Sequence, residues 1–389
     1  MTFFVFKSLY YLIGDNMKKI IIIIILFLLV LMLNIFNEKD EIKEKETRAI
    51  FISYIELHEY INDNIKESKN NIDKMISNIN ELRFNTIILQ VRDNCNAIYK
   101  SKLFPNTYNF DVLDYFIKES NRRNIRVIAW INPYRVRTTN NIESINNNEI
   151  VYKYINTDVL YIYNGIYLNP SKKEVEDLIV DGVKEVLNYK IDGVLFDDYF
   201  YPNSDIDTVD YEKYIKENTY ISKDNYQLNI INKMIKRVHN LCAIRNVPFG
   251  VSPDGDIDNN YNIHKADVRL WMNKTGYIDF IMPQIYYGFY NSTKAYINVI
   301  KEWENLLKNN VDLYVALAFY KVGIEDKYAK DGRDEWILNN NIIMREVLLS
   351  RNLKHYKGFS LFRYDNLFDV DHYTSNSLDE LNNLKKIIK

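Results

Sequence analysis

The sequence predicts a single (β/α)8 barrel, an α/β fold of parallel strands, following an N-terminal apolar segment. Three observations predict it. From residue 48 onward, eight short apolar runs alternate with eight stretches of helical periodicity. No Gly-rich phosphate loop follows the first apolar run or appears elsewhere, which argues against an open nucleotide-binding sheet. The run at 191–197 opens on Asp192-Gly193, stays apolar through Phe196, and then turns to Asp197-Asp198-Tyr199. A buried strand that ends in acids and aromatics presents chemistry at its carboxyl end, where barrels keep their sites.

The elements follow in order. Residues 1–37 read as a signal peptide or signal anchor: Met17-Lys18-Lys19 is a basic start and 20–33 an unbroken apolar run. Lysines before the run and acids after it place the N-terminus in the cytoplasm, so the folded part is expected to be secreted or anchored on the outer face of the cytoplasmic membrane. Residues 38–47 are a charged linker, and 48–389 the barrel. Strands are expected over 49–55, 86–91, 126–131, 193–197, 249–252, 280–283, 313–319 and 358–362. Helices are expected over 69–82, 112–123, 174–189, 228–245, 265–274, 293–308, 336–351 and 378–388, with 132–170 a long polar loop.

Composition narrows the function. The chain has 389 residues, 47% hydrophobic and 26% charged, with a net charge of −2, so it lacks the basic footprint of a nucleic-acid binder. Its two cysteines, Cys95 and Cys242, are far apart and sit in no zinc-binding spacing; they read as free thiols. The 32 tyrosines have two readings, the codon bias of an AT-rich genome and an aromatic sugar groove.

In a barrel the residues after each strand decide the chemistry. These are Glu56 and His58; Gln90 and Arg92; Asn132, Tyr134 and Arg135; Asp197, Asp198 and Tyr199; Asp254, Asp256 and Asp258; Gln284, Tyr286 and Tyr287; Tyr320 and Lys321; and Arg363. No nucleophilic serine or cysteine motif and no histidine cluster is present, and neither a cofactor nor a metal is expected. Acids, amides and aromatic rings suit a polysaccharide partner, whose cleavage needs one acid for the leaving oxygen and a second carboxylate. Asp197, Asp198 and Asp254 are the candidate catalytic residues. Glu56, Gln90, Arg92, Asn132, Arg135, Gln284 and Arg363 would position sugar groups, and Tyr134, Tyr199, Tyr286 and Tyr287 would stack on them. Plainer readings stand beside these: Glu56 as a loop cap or partner of an arginine, and Asp254, Asp256 and Asp258 as turn residues or a calcium-like loop.

Alternation of side chains puts Leu195 and Asp197 on one face of their strand and Phe196 and Asp198 on the other. Asp192-Gly193 with Asp197 and Tyr199 resembles the DGxDxDxE signature of the chitinases. Asp197 falls on its final aspartate, and Tyr199 stands where its catalytic glutamate would be. More of the chain resembles a different family. The stretches Arg48–Ser53, Leu89-Gln90-Val91-Arg92, Ala129-Trp130-Ile131-Asn132-Pro133-Tyr134-Arg135, Tyr167-Leu168-Asn169-Pro170, Asp192–Pro202, Phe249-Gly250-Val251-Ser252-Pro253, Ala266-Asp267-Val268-Arg269-Leu270-Trp271, Ile278–Tyr286 and Leu317-Ala318-Phe319-Tyr320-Lys321 together resemble glycosyl-hydrolase-like family ten, also called domain of unknown function 187.

The resemblance spans residues 48–366. It implies a bacterial envelope glycosidase on a TIM barrel acting on N-acetylglucosamine-containing glycan, peptidoglycan strands above all, with glucosamine exopolysaccharide as a rival substrate. Two departures stand out: Asn96 where an aspartate is expected, and Asp254-Gly255-Asp256 in place of Phe-Gly. A barrel that binds wall glycan without cleaving it is the alternative from another class.

Overall fold

The computed structural model describes residues 46–197, 200–308 and 311–388, together with Ile24 and Ile25. The apolar run at 20–33 otherwise lies outside them, as do most of the linker, Asp198 and Tyr199. No helix among the described residues is long and apolar enough to cross a membrane. The chain divides into two units after Glu46, and the unit of Thr47–Lys389 carries everything below.

Eight parallel strands close into a barrel in sequential order: β1 Thr47–Ile52, β2 Thr86–Arg92, β3 Arg126–Ile131, β4 Gly193–Phe196, β5 Phe249–Val251, β6 Phe280–Ile281, β7 Asp312–Leu317 and β8 Tyr356–Leu361. The strands are apolar almost throughout because each is buried on both faces. One face fills the lumen with Phe51, Ile88, Trp130, Leu195, Phe280 and Met282. The other packs on the surrounding helices in a much larger core that includes Phe196, Phe249 and Trp271.

The excursion at 132–170 is not the loop expected. Arg135–Arg137, Leu160–Ile162 and Ile166–Leu168 form a small antiparallel sheet. These strands are no shorter than β5, but no periodic helix separates them, so the strand–helix alternation that marks the barrel strands does not reach them. A helix at Tyr54–Tyr60 was likewise unforeseen, although Ser53 and Glu56 form its capping box. Further unforeseen helices lie at Thr208–Glu217 and Ile257–Asn262, and 336–351 resolves into Glu335–Leu338 and Ile342–Ser350.

The outer layer buries acids with a thermodynamic consequence. Glu380, on Ser377–Lys385, accepts from the N–H groups of Ile342 (2.8 Å) and Met344 (3.2 Å), and burial pushes its carboxyl up to about 7 against those donors. Glu346 beside it is also raised by burial and by the charge of Glu380. The folded state therefore holds these protons more tightly than the unfolded chain, where glutamate titrates near about 4.3. Stability is full below that value and falls as pH rises toward about 7. The melting temperature should drop between about pH 4.3 and about pH 7, and Glu380→Gln should flatten the curve; an equally steep curve for the variant would refute the assignment.

Candidate active site

Asp197 follows β4 by one residue and is 4% exposed. Its Oδ2 accepts from Trp130 Nε1 (3.1 Å) and Asn132 Nδ2 (2.9 Å), both reached from β3. Leu195 lies in the lumen and Phe196 in the outer core, so Asp197 stands on the lumen side as the alternation predicts. Asn132 is locked: it donates to Asp197 and its Oδ1 accepts from the Arg135 N–H (2.9 Å). It positions the acid rather than reaching for a sugar. Tyr167, across the small sheet from Arg135, has its hydroxyl raised by burial, with Arg135 and Asp197 close enough to act on it. Tyr167 was not among the residues singled out, though the family motif contains it.

Gln90 is level with Trp130 and buried, and its Oε1 accepts from the Tyr54 N–H (3.0 Å). Arg92 is not at the site. A bulge between Gln90 and Arg92 sets Arg92 opposite Ile131, an outer-core residue, and so reverses its face. Its guanidinium stacks over Phe104 at 4.6 Å and abuts Gly182, where an added Cβ would lie 2.0 Å from Nη1. Tyr134 also offers no platform: it is buried against Phe200, and burial raises its hydroxyl. Glu56 is wholly buried as the capping residue of its helix and pairs with Arg363 Nη1 at 2.7 Å. Arg363 also reaches Asp365 (3.1 Å), whose carboxyl is pushed up to about 7 by burial and by the charge of Glu56. This buried acid–arginine cluster braces the end of β8.

A second group of residues surrounds a cleft of about 430 Å³ above β5–β7, lined by Asp254, Asp256, Gln284, Tyr286, Tyr287 and Lys321 among others. Asp197 is not among its lining residues. Asp254 is a quarter exposed. Its Oδ1 accepts from the Asp256 N–H (2.8 Å), and its Oδ2 lies 3.3 Å from Asn259 Nδ2 and 3.8 Å from His264 Nε2. Burial pushes this carboxyl up, but His264, the Asp256 N–H and Asn259 outweigh it and hold it below the usual range. Gly255 has no room for a side chain: a Cβ would lie 2.4 Å from the Gln284 carbonyl oxygen. Asp256 caps Ile257–Asn262, and Asp258 pairs with Arg269, so two of the three loop acids are structural. Gln284 Nε2 donates to the Ser252 carbonyl (3.0 Å).

The two groups share an aromatic floor. Phe362 lies 5.6 Å from Phe51, 6.5 Å from Trp130, 6.1 Å from Tyr286 and 6.0 Å from Tyr320, ring centre to ring centre. Trp130 carries Asp197 at one end of this floor, and Tyr286 lines the Asp254 cleft at the other.

The profile of the family described as Glycosyl hydrolase-like 10 matches residues 46–333. The chain belongs to the glycosyl hydrolase-like 10 family. It is 31% identical over 345 residues to glycosyl hydrolase DigH of Escherichia coli K12, covering 76% of this chain and 75% of that one. It is 28% identical over 362 residues to glycosyl hydrolase YngK of Bacillus subtilis 168, covering 83% and 69%. Among solved structures it resembles the PgaB glycoside hydrolase domain of Bordetella bronchiseptica, with a TM-score of 0.56 at 9% identity, over 88% of this chain and 99% of that one. It also resembles the catalytic domain of a Paenibacillus polymyxa β-amylase, with a TM-score of 0.55 at 10% identity, over 89% and 99%. These two likenesses concern the barrel alone. As a glycosyl hydrolase-like 10 member the chain is a glycoside hydrolase.

Proposed function

We propose that the chain hydrolyses glycosidic bonds in N-acetylglucosamine-containing cell-envelope glycan, with peptidoglycan strands as the substrate. The observation that carries this reading is a pair of carboxylates, Asp197 and Asp254, at the carboxyl ends of adjacent strands over one aromatic floor. Asp197 acts as the acid that protonates the leaving oxygen. Asp254, held ionised by its donors, supports the positive charge growing at the sugar carbon or activates the water that adds there. Tyr286 and Tyr287 supply ring faces beside the cut bond, and Gln284 a polar contact. Residues 1–37 direct this unit out of the cytoplasm and tether it to the outer face of the membrane or release it.

Incubation with peptide-free peptidoglycan strands should release reducing ends, with product masses giving the bond cut. A partly deacetylated glucosamine polymer serves as the competing substrate. Binding of the strands without release, at every protein concentration tested, would replace this reading with that of a glycan-binding scaffold.

A further inference from the structure

The wall of the Asp254 cleft carries a side chain that neither the core nor the proposed chemistry uses. Tyr328 lines the cleft and is 88% exposed. Its loop is firmly held. The Tyr328 N–H donates to Asp326 Oδ1 (3.2 Å), and the buried Asp326 accepts from Lys321 Nζ at 2.7 Å. Lys321 also donates to the Tyr286 carbonyl (2.8 Å) at the base of the cleft. An ion pair whose acid is buried thus ties the ring's backbone to the aromatic floor.

The loop after β7 is joined to the loop after β6 as well. The Ser292 N–H donates to the Ala329 carbonyl (3.4 Å), and a Cβ on Gly332 would come within 2.4 Å of the Tyr290 carbonyl oxygen. The two loops therefore form one wall, with Tyr328 standing out from it. A ring displayed on a braced loop loses little freedom when a ligand covers it.

Charge says which ligand. Lys321 is neutralised by Asp326, and Lys294 by Asp256 at 2.8 Å. Asp254 adds a third carboxylate, so no surplus positive charge holds an acidic sugar here, and a strand of alternating sugars would seat its uncharged N-acetylglucosamine unit at this wall. The C–H face of an uncharged pyranose suits an exposed aromatic ring, because burying that face against it removes apolar surface from water.

We propose that Tyr328 is an outer subsite that stacks an uncharged pyranose ring of the substrate chain, beyond the position where the bond is cut. The inference rests on the glycosidase reading for its substrate. Its test compares Michaelis constants on peptide-free glycan fragments of two or three sugars with those on fragments of eight or more. Tyr328→Ala should raise the long-to-short KM ratio about tenfold, equivalent to about 1.4 kcal/mol of lost binding. Tyr328→Phe should keep the wild-type ratio, since the ring and not the hydroxyl does the stacking. An unchanged ratio in the alanine variant, or an equal loss in both variants, would overturn the proposal. Calorimetric titration of long fragments into Asp197→Asn protein, with and without Tyr328→Ala, reads the same subsite without turnover. Weaker binding there, alongside a wild type that releases no reducing ends, would keep the subsite and discard the glycosidase reading.

Discussion

Asp197→Asn should slow release of reducing ends from glycan strands by about 10²–10⁴-fold, the span that a lost general acid usually costs. The variant is informative because the fold should barely notice it. Asparagine retains an oxygen that can accept from Trp130 Nε1 and Asn132 Nδ2, so the two hydrogen bonds that hold the side chain remain available. The melting temperature should therefore stay close to the wild type while kcat falls. The pH profile should lose its basic limb, because the group whose proton is needed has gone. A variant that clears strands as fast as the wild type removes Asp197 from the mechanism. One that is equally slow but far less stable points to a structural role instead.

The barrel was legible because parallel strands buried on both faces read as continuous apolar runs, and the helices between them carry long periodic stripes. Its order, its closure and the lumen side of Asp197 all follow from that pattern. What the pattern could not carry was any element outside the strand–helix alternation. The strand Arg135–Arg137 and its two partners have three residues each, as β5 has, but no periodic helix separates them and so no alternation picks them out. Glu56 shows the opposite case. The Ser53–Glu56 spacing marked a helix start in plain sight, and reading it would have placed Glu56 in a buried cap rather than among the sugar contacts.

Site residues went astray for two further reasons. Alternation predicts Arg92 in the lumen, two residues beyond Gln90, but a bulge spends one residue without advancing the pairing and turns the guanidinium outward. Bulges leave no compositional mark. Tyr134 follows Pro133 at the mouth, where a ring would naturally meet substrate, yet it is buried and packs against Phe200. Conversely, Trp130 was read as part of a strand and of the family motif Ala129–Arg135 but not as a site residue, whereas its indole N–H is half of what fixes Asp197. Phe362 joins the two halves of the floor, and no local pattern distinguishes such a lumen residue from ordinary core.

Asp254→Asn should cost a similar ~10²–10⁴-fold, but with a different signature in pH. Asp254 works as a carboxylate. Its contacts with His264, the Asp256 N–H and Asn259 overcome burial and hold its pKa below the ordinary aspartate value of about 3.9. Activity that depends on it is present above that depressed pKa and is lost only as pH falls through it. The acid limb of kcat/KM should therefore lie below about pH 4 in the wild type. His264→Ala should move that limb upward, because removing a stabilising partner lets burial dominate. This separates the role of Asp254 from that of a neutral hydrogen-bonding residue, whose neighbours would leave the acid limb where it was. An acid limb that stays fixed in the His264 variant would show that another carboxylate sets it, and Asp254 would then have to yield its place beside Asp197.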